Sequence, residues 1–345
     1  MIYNEKYWAE VAEVAAHIPE KDRLQGKRIL ITGATGMLCS PVVDVLTYLK
    51  KEEGLSIELL LAGRSEQRLR DRFRKAGTEF TYIPFDATKT GFPSVKADYI
   101  IHGASNANPA LYGREPVETL LGNVIGMESI LKAAKENEGA RVLYLSSSEV
   151  YGTGKDEREP YGEEDYGFVD LLNFRACYPV GKRAAETLCA CYRQEYGVDF
   201  VTIRPGHIYG PTITGSDTRA SAAFTRDAAA KRDIVMKSAG AQLRSYCYTL
   251  DSATAVLTVL LCGASGEAYN ISNPGSVVSI RDIAEKLAEA GGVKVVFETP
   301  SDQEKKNYNL MSNSSLKADK LLALGWKPIF DLDRGVRSTL EYYEG

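Results

Sequence analysis

The sequence predicts an α/β fold, a doubly wound parallel sheet followed by a smaller C-terminal α/β region. Three observations carry this. From Lys27 onward short apolar runs alternate with helix-length segments, the order that builds a parallel sheet covered on both faces. Apolar strands that alternate with helices argue for a parallel sheet covered on both faces, Arg28-Ile-Leu-Ile-Thr32 being the first such run. The first run passes directly into a glycine turn, Gly33-Ala-Thr-Gly36, and then into a helix.

Taken in order, residues 1–26 form a helical extension. Trp8, Val11, Val14 and Ala15 recur at helical spacing, and the polar linker Pro19 to Gly26 follows. This extension precedes the first strand, so it reads as a packing arm or a dimer contact rather than a catalytic element. Arg28–Thr32 is the first strand, with a helix through about Lys51. Further strands are expected at Ser56–Leu61, Glu79–Pro84, Ala97–His102 and Arg141–Ser146, with helices near Glu66–Lys75 and Val117–Asn137. A helix carrying Tyr178 and Lys182 leads to a sixth strand, Val198–Ile203. Residues 27–204 thus make the sheet domain. Beyond Pro205 the pattern loosens, with Gly/Thr/Ser-rich stretches around 210–221. An apolar helix at Ser252–Cys262 and a strand at Ala268–Ile271 return the chain to the sheet at about 246–271. A helix at Ile280–Ala290 follows, and 205–345 is mainly the smaller region.

The 345 residues are 44% hydrophobic and 26% charged, which excludes neither a large core nor a water-facing surface. With 42 basic and 46 acidic residues the net charge is −4, so no nucleic acid or acidic membrane partner is called for. No run approaches the ~18 apolar residues of a spanning helix, and the N-terminus lacks the layout of a secretory signal. A cytoplasmic protein is the expectation. The six cysteines show no paired spacing of a metal site and read as small, reduced core residues. No metal is expected.

The glycine turn sits where a Rossmann-like dinucleotide site needs it. A first glycine allows the tight turn, and a second lets backbone N–H groups reach a pyrophosphate at the positive end of the helix. The third glycine expected at 39 is Cys39, whose thiol is expected to crowd helix against strand. At the end of the second strand the acid that bonds the adenine ribose of NAD is missing; Arg64 stands there, either pairing a 2′-phosphate of NADP or remaining a solvated loop cation. Asp86 suits the adenine amino group. Ala104 and Ser105 are small residues beside the phosphates and ribose. Tyr178 and Lys182, one helical turn apart, share a face. There the ammonium is expected to lower the phenol's pKa so that it exchanges a sugar hydroxyl proton while a nicotinamide exchanges the hydride.

With Arg175-Ala-Cys-Tyr178, Gly181-Lys-Arg-Ala-Ala-Glu-Thr187, Tyr269-Asn-Ile-Ser-Asn-Pro-Gly275, His102-Gly-Ala-Ser105, Asn123-Val-Ile-Gly126 and Leu324-Gly-Trp-Lys-Pro328, the chain resembles the extended short-chain dehydrogenase/reductase family from about Lys27 to its C-terminus. That family holds the sugar-nucleotide epimerases, dehydratases and decarboxylases, and the motifs are most similar to its UDP-glucuronate decarboxylase branch. The resemblance implies bound NAD contacted by Gly33, Thr35, Gly36, Met37, Leu38, Arg64, Asp86, Ala104, Ser105, Asn123, Ser146, Tyr178, Lys182 and Arg204. It places Ser147 at the reacting hydroxyl and Glu149 beside C5 and C6 of the sugar. Glu149 otherwise reads as a solvated carboxylate at a strand end. Ser148, Arg175, His207, Arg219 and Arg244 fall at substrate-side positions, Arg244 where the family contacts the diphosphate or sugar; Asn123 also resembles a substrate contact. Arg175 either neutralises a sugar carboxylate or pairs with the acidic stretch Glu163–Asp165. His207 stands where asparagine is commoner. Residues 115–137 and 178–196 correspond to the helices that pair with their copies, implying a homodimer.

The expected function is therefore a lyase acting on a nucleotide-diphosphate sugar. It oxidises C4 with bound NAD(P), then decarboxylates, or alternatively dehydrates, with Glu149 moving the proton. A 4-epimerase, an NADPH-dependent reductase of a nucleotide-linked ketone and a non-catalytic binding protein are the other readings.

Overall fold

The computed structural model describes residues 3–154, 159–215, 217–299 and 311–343. Seven strands form the main sheet: β1 (Lys27–Thr32), β2 (Ile57–Gly63), β3 (Thr81–Pro84), β4 (Tyr99–His102), β5 (Arg141–Leu145), β6 (Asp199–Pro205) and β10 (Ala268–Ile271). All pairings are parallel, in the order β3-β2-β1-β4-β5-β6-β10. Strand order reverses between β1 and β4, and an open sheet offers its ligand crevice at that point, beyond the carboxyl ends of the strands.

Successive side chains of each strand face opposite layers. Ile29 and Ile31 of β1 therefore enter one apolar cluster while Leu30 enters the other. The first cluster is covered by α2 (Cys39–Lys51) and α8 (Thr249–Cys262). The second lies under α5 (Pro116–Glu136) and α6 (Cys177–Tyr196). Every residue of α8 except Cys262 is buried, which explains why it reads as apolar all round rather than amphipathic. Its one carboxylate, Asp251, accepts the backbone N–H groups of Ile329 and Phe330 at 2.9 Å, fastening the C-terminal segment to the sheet. Burial raises that carboxyl to about 7 against the pull of those two bonds.

The N-terminal extension is a packing arm. It forms α1 (Glu5–Ala15), capped by Asn4, whose side chain accepts from the Tyr7 N–H. Tyr7, Val11, Val14 and Ala15 are buried, whereas Trp8 lies at the margin. The Tyr7 hydroxyl donates to Asp44 of α2 at 2.8 Å. α3 (Glu66–Phe73) and the short α4 (Pro109–Arg114) complete the first half.

After β6 the chain builds a second sheet in which β9 (Leu243–Tyr248) pairs with β7 (His207–Tyr209), β11 (Val277–Ser279) and β13 (Asn313–Ser314). A separate parallel pair joins β8 (Ile234–Met236) to β12 (Val295–Phe297). α7 (Ala220–Ala229), α9 (Ile280–Gly291) and a helix at Leu332–Tyr342 pack around them. The strands at 207–209, 234–236 and 313–314 are too short to show a period, and α7 is alanine-rich, so the sequence pattern gives no sign of them.

Two cysteines depart from the expectation that all six lie in the core. Cys191 is exposed and Cys262 half-buried, while Cys39, Cys177, Cys189 and Cys247 are buried. Cys191 follows Cys189 by two, which on a helix turns it to the other side. Among the described residues no helix is long and apolar enough to cross a membrane.

Candidate active site

A cleft of about 840 Å³ opens at the carboxyl ends of β1, β4, β5 and β6 and is bordered on its other side by the second sheet, β8 and the start of α7. Its floor begins at the glycine turn. Gly33 has φ +69°, and a Cβ there would lie 2.7 Å from the Gly103 carbonyl, so only glycine fits. Gly103 in turn makes room for Cys39: a Cβ on Gly103 would meet the Cys39 Sγ at 2.5 Å. The missing third glycine is thus matched by a glycine across the turn, and the thiol is accommodated rather than crowding the helix. Thr32 fixes this approach. Its hydroxyl accepts from the Gly103 and Ala104 N–H groups at 3.2 and 3.1 Å and lies 2.9 Å from His102 Nδ1.

β5 delivers the next group of residues. It runs into Ser146, Ser147 and a 3₁₀ turn at Ser148–Tyr151, where the Ser147 hydroxyl accepts the Glu149 N–H at 3.2 Å. Ser146, Ser147, Ser148 and Glu149 all line the cleft, and the buried Ser146 hydroxyl has no protein partner. Facing them, a 3₁₀ turn at Phe174–Ala176 enters α6 and presents Arg175, Tyr178 and Lys182. Ser147 stands near enough to the Tyr178 phenol to favour its ionised form.

The electrostatics differ from the expected lysine-activated phenol. Burial, and then the charge of Glu149, raise Tyr178 to about 12, against the opposing pull of Ser147, Arg219 and Arg175. Lys182 is not among the largest influences on it: its Nζ donates to the Leu145 carbonyl at 2.6 Å and lies 5.7 Å from the Tyr178 ring centre. Burial lowers Lys182 itself to about 7.

Arg175 does not reach the Glu163–Asp165 stretch. It grips Glu149 through two parallel bonds, Nη1 to Oε2 at 2.9 Å and Nη2 to Oε1 at 3.0 Å. Its guanidinium lies 4.6 Å from the centre of the Tyr112 ring, and that ring stacks on Tyr178 at 4.8 Å. Glu149 is accordingly no solvated strand-end carboxylate.

The second sheet supplies the upper wall. Arg244 is buried on β9 and donates to the Leu243 and Met311 carbonyls at 2.7 and 3.1 Å. Arg219 pairs with Asp217 and donates to the Met37 sulfur at 3.0 Å. His207 packs edge-on against Tyr246, with its Nδ1 buried and unpartnered. Burial and the charges of Arg244 and Arg219 hold the imidazole neutral, near 3. With Lys237 added, five cations and one carboxylate among the described residues line the cleft, a balance suited to a diphosphate.

Several expected contacts fall outside this lining. Arg204 is not among the residues lining the cleft: it forms an ion pair with Glu186 at 2.6 Å and donates to the Glu163 carbonyl at 2.7 Å, tying β6 to α6. Asn123 is buried and reaches the site only through Ser105, whose hydroxyl donates to it at 2.9 Å. Thr35 and Ala104 lie within the turns but not on the cleft wall, whereas Gly36, Met37, Leu38 and Ser105 are on it. Arg64 is exposed after β2. Asp86 follows β3 and accepts from the Thr88 N–H and hydroxyl. Burial raises its carboxyl, but those bonds and the Arg64 and Lys89 charges outweigh it and hold the group below its usual range. Tyr112 carries no signal in the sequence, whereas Cys39 and Gly103 do, the first as the residue in place of a third glycine and the second as one of the small residues of His102-Gly-Ala-Ser105; that the two face each other is visible only in the fold.

The residues present fit a dinucleotide: a turn closed to any side chain but hydrogen, a helix start and an orphaned buried hydroxyl at the same crevice. A profile of the NAD dependent epimerase/dehydratase family matches residues 29–272. The chain is 32% identical to UDP-glucuronic acid decarboxylase 1 of Xenopus tropicalis over 330 residues, covering 94% of this chain and 73% of that one. It is 32% identical to UDP-glucuronic acid decarboxylase 6 of Arabidopsis thaliana over 314 residues, or 90% and 86% of the two chains. In fold it is similar to a dTDP-glucose 4,6-dehydratase of Streptomyces venezuelae solved with NAD (TM-score 0.77, 21% identity, 92% and 96% covered). A UDP-glucuronic acid 4-epimerase of Bacillus cereus, solved with UDP-glucuronic acid and NAD, is also similar (TM-score 0.73, 20% identity, 91% and 98% covered).

Proposed function

The chain belongs to the NAD dependent epimerase/dehydratase family, and we propose that within it the protein decarboxylates UDP-glucuronate. NAD, when bound, supplies the hydride acceptor for C4 and later returns that hydride. Gly33, Gly36, Met37, Leu38, Ser105 and Ser146 would hold it along the crevice, with Arg64 and Asp86 toward the adenosine; Arg64 would also admit NADP. Tyr178 would take the C4 hydroxyl proton, aligned by Ser147, while Lys182 holds the strand end through Leu145. The resulting 4-keto sugar carries its carboxylate β to a ketone. Its C5–C6 bond breaks, CO₂ leaves, and the electron pair passes into a C4–C5 enolate; Glu149, once it has taken a proton from solvent, delivers that proton to C5. Arg219, Arg244 and His207 would bind the diphosphate and sugar, with Ser148 and Arg175 on the sugar side.

The observation that carries this reading is the carboxylate Glu149 held by Arg175 beside Tyr178, since removal and return of hydride at C4 alone need no such pair. Purified protein given UDP-glucuronate and NAD should release CO₂ and a UDP-pentose. No turnover with NAD supplied would sink the decarboxylase reading. The likeness to a uronate 4-epimerase favours one second reading, in which the product keeps its carboxyl and has the inverted C4. Mass spectrometry of the product separates the two.

We further place the protein in the cytoplasm as a homodimer. Free cysteines support the first. The exposed Val117 and Leu121 on α5 and the outward Cys191 on α6 support the second, because those helices would pair with their copies. A monomer by light scattering would contradict it.

A further inference from the structure

A carboxylate already sits on a guanidinium inside the cleft, and the surroundings of that pair are built to keep the guanidinium still. The Arg175 backbone N–H donates to Asn173 Oδ1 at 3.0 Å, its charge faces the Tyr112 ring, and both of its terminal nitrogens engage Glu149. Tyr112 is 1% exposed and stacks on the reacting Tyr178. The side chains of Arg175 and Glu149 are each 24% exposed, so neither charge is fully solvated. Glu149 can leave its partner cheaply only if another anion takes its place, because an unpaired, mostly desolvated guanidinium is costly.

Resting on the uronate reading above, we propose that the two Arg175 donors engaging Glu149 are the seat of the substrate's carboxylate, and that a uronate binds by exchange. The sugar carboxylate takes over the planar fork of Arg175 and releases Glu149 for its proton transfer. The carboxyl carbon of a hexuronate is attached to C5, next to the C4 that Tyr178 serves, so one sugar ring addresses both groups. A neutral hexose offers nothing to Arg175. It leaves Glu149 locked, and the cleft then selects the acid sugar at the step that frees the proton donor as well as by affinity.

The test is equilibrium binding of UDP-glucuronate and UDP-glucose to NAD-loaded protein in a Tyr178→Phe background, which removes turnover. Glu149→Gln should tighten UDP-glucuronate about tenfold by removing the resident competitor, and leave UDP-glucose within about twofold. The gain should vanish when Arg175→Leu is added. UDP-glucose binding is the internal check that each variant is folded; if Arg175→Leu loses it, Arg175→Lys, which keeps the charge without the fork, replaces it with the same expectation. A gain that persists without Arg175 would reduce the effect to plain charge repulsion and overturn the exchange. So would equal effects on both sugars. CO₂ release by the unaltered enzyme is scored separately: its absence defeats the decarboxylase reading while the exchange pattern stands or falls on binding alone.

Discussion

Replacing Gly103 by alanine probes the compensation that stands in for the missing third glycine of the cofactor turn. The new Cβ would lie 2.5 Å from Cys39 Sγ, 3.1 Å from Leu145 Cδ2 and 3.2 Å from the Thr32 carbonyl. The first distance is impossible for real atoms, while the other two call for shifts of a few tenths of an ångström. Overpacking of this kind costs about 1–3 kcal/mol, and the buried site argues for the upper half of that range. Cys39→Ala alone removes one buried sulfur and should cost about 1 kcal/mol. If Gly103 exists to make room for the thiol, the two changes are coupled. The double variant should then lose about 1–2 kcal/mol instead of the additive ~3–4, with the Leu145 and Thr32 contacts preventing full rescue. Urea unfolding of the four proteins measures this directly. NAD affinity should follow the same order, because Gly33 packs on the Gly103 carbonyl. Strict additivity in both measurements would refute the argument and return Cys39 to an incidental core residue.

Two further outcomes follow from the charges. Arg204→Met should destabilise the protein by about 3–5 kcal/mol by leaving Glu186 unpaired, yet leave NAD affinity within about twofold; a selective loss of NAD binding in a stable protein would put Arg204 back at the cofactor. Lys182, near 7 in the folded protein against 10.5 when free, carries fewer protons than its unfolded counterpart between those values, so its share of stability rises as pH climbs from about 7 toward 10.5. Relative to wild type, Lys182→Met should show a smaller gain in unfolding free energy between pH 7 and 9.5, by up to about 3 kcal/mol. An equal gain would mean that Lys182 is not desolvated.

The sheet was legible because its buried strands carry consecutive apolar residues, such as Ile29-Leu-Ile31 and Leu59-Leu-Leu61, that need no partner to be recognised; Arg28–Thr32 and Ala268–Ile271 match strands of the fold almost to the residue. The second sheet was not, since His207–Tyr209 owes its strand to pairing with the distant β9 and not to any local pattern. The site divides the same way. Tyr178, Ser147 and Glu149 lie in two short segments whose spacing already carries their geometry. Arg175 and Arg204 could not be told apart by sequence, as each is a cation at an element end near several acids. Only three-dimensional packing sends one to Glu149 and the other to Glu186. The expected lowering of Tyr178 failed for a related reason: helical spacing gives a shared face but not burial, and burial dominates both groups.

This division has a functional consequence. The groups proposed for the hydride and proton steps come from the end of β5 and the start of α6, neighbours fixed by the sheet, so substitutions that spare these two segments should spare the proposed C4 oxidation. Of the groups proposed to choose the sugar and diphosphate, His207 and Arg244 hang from the second sheet, whose short strands pair over long sequence separations, and Arg219 stands at the start of α7. Arg175 and Glu149 belong by position to the first set and by chemistry to the second. A substitution in the second sheet should therefore change which nucleotide sugar is accepted while C4 is still oxidised. A change at the Glu149–Arg175 pair should alter what happens after C4 has been oxidised.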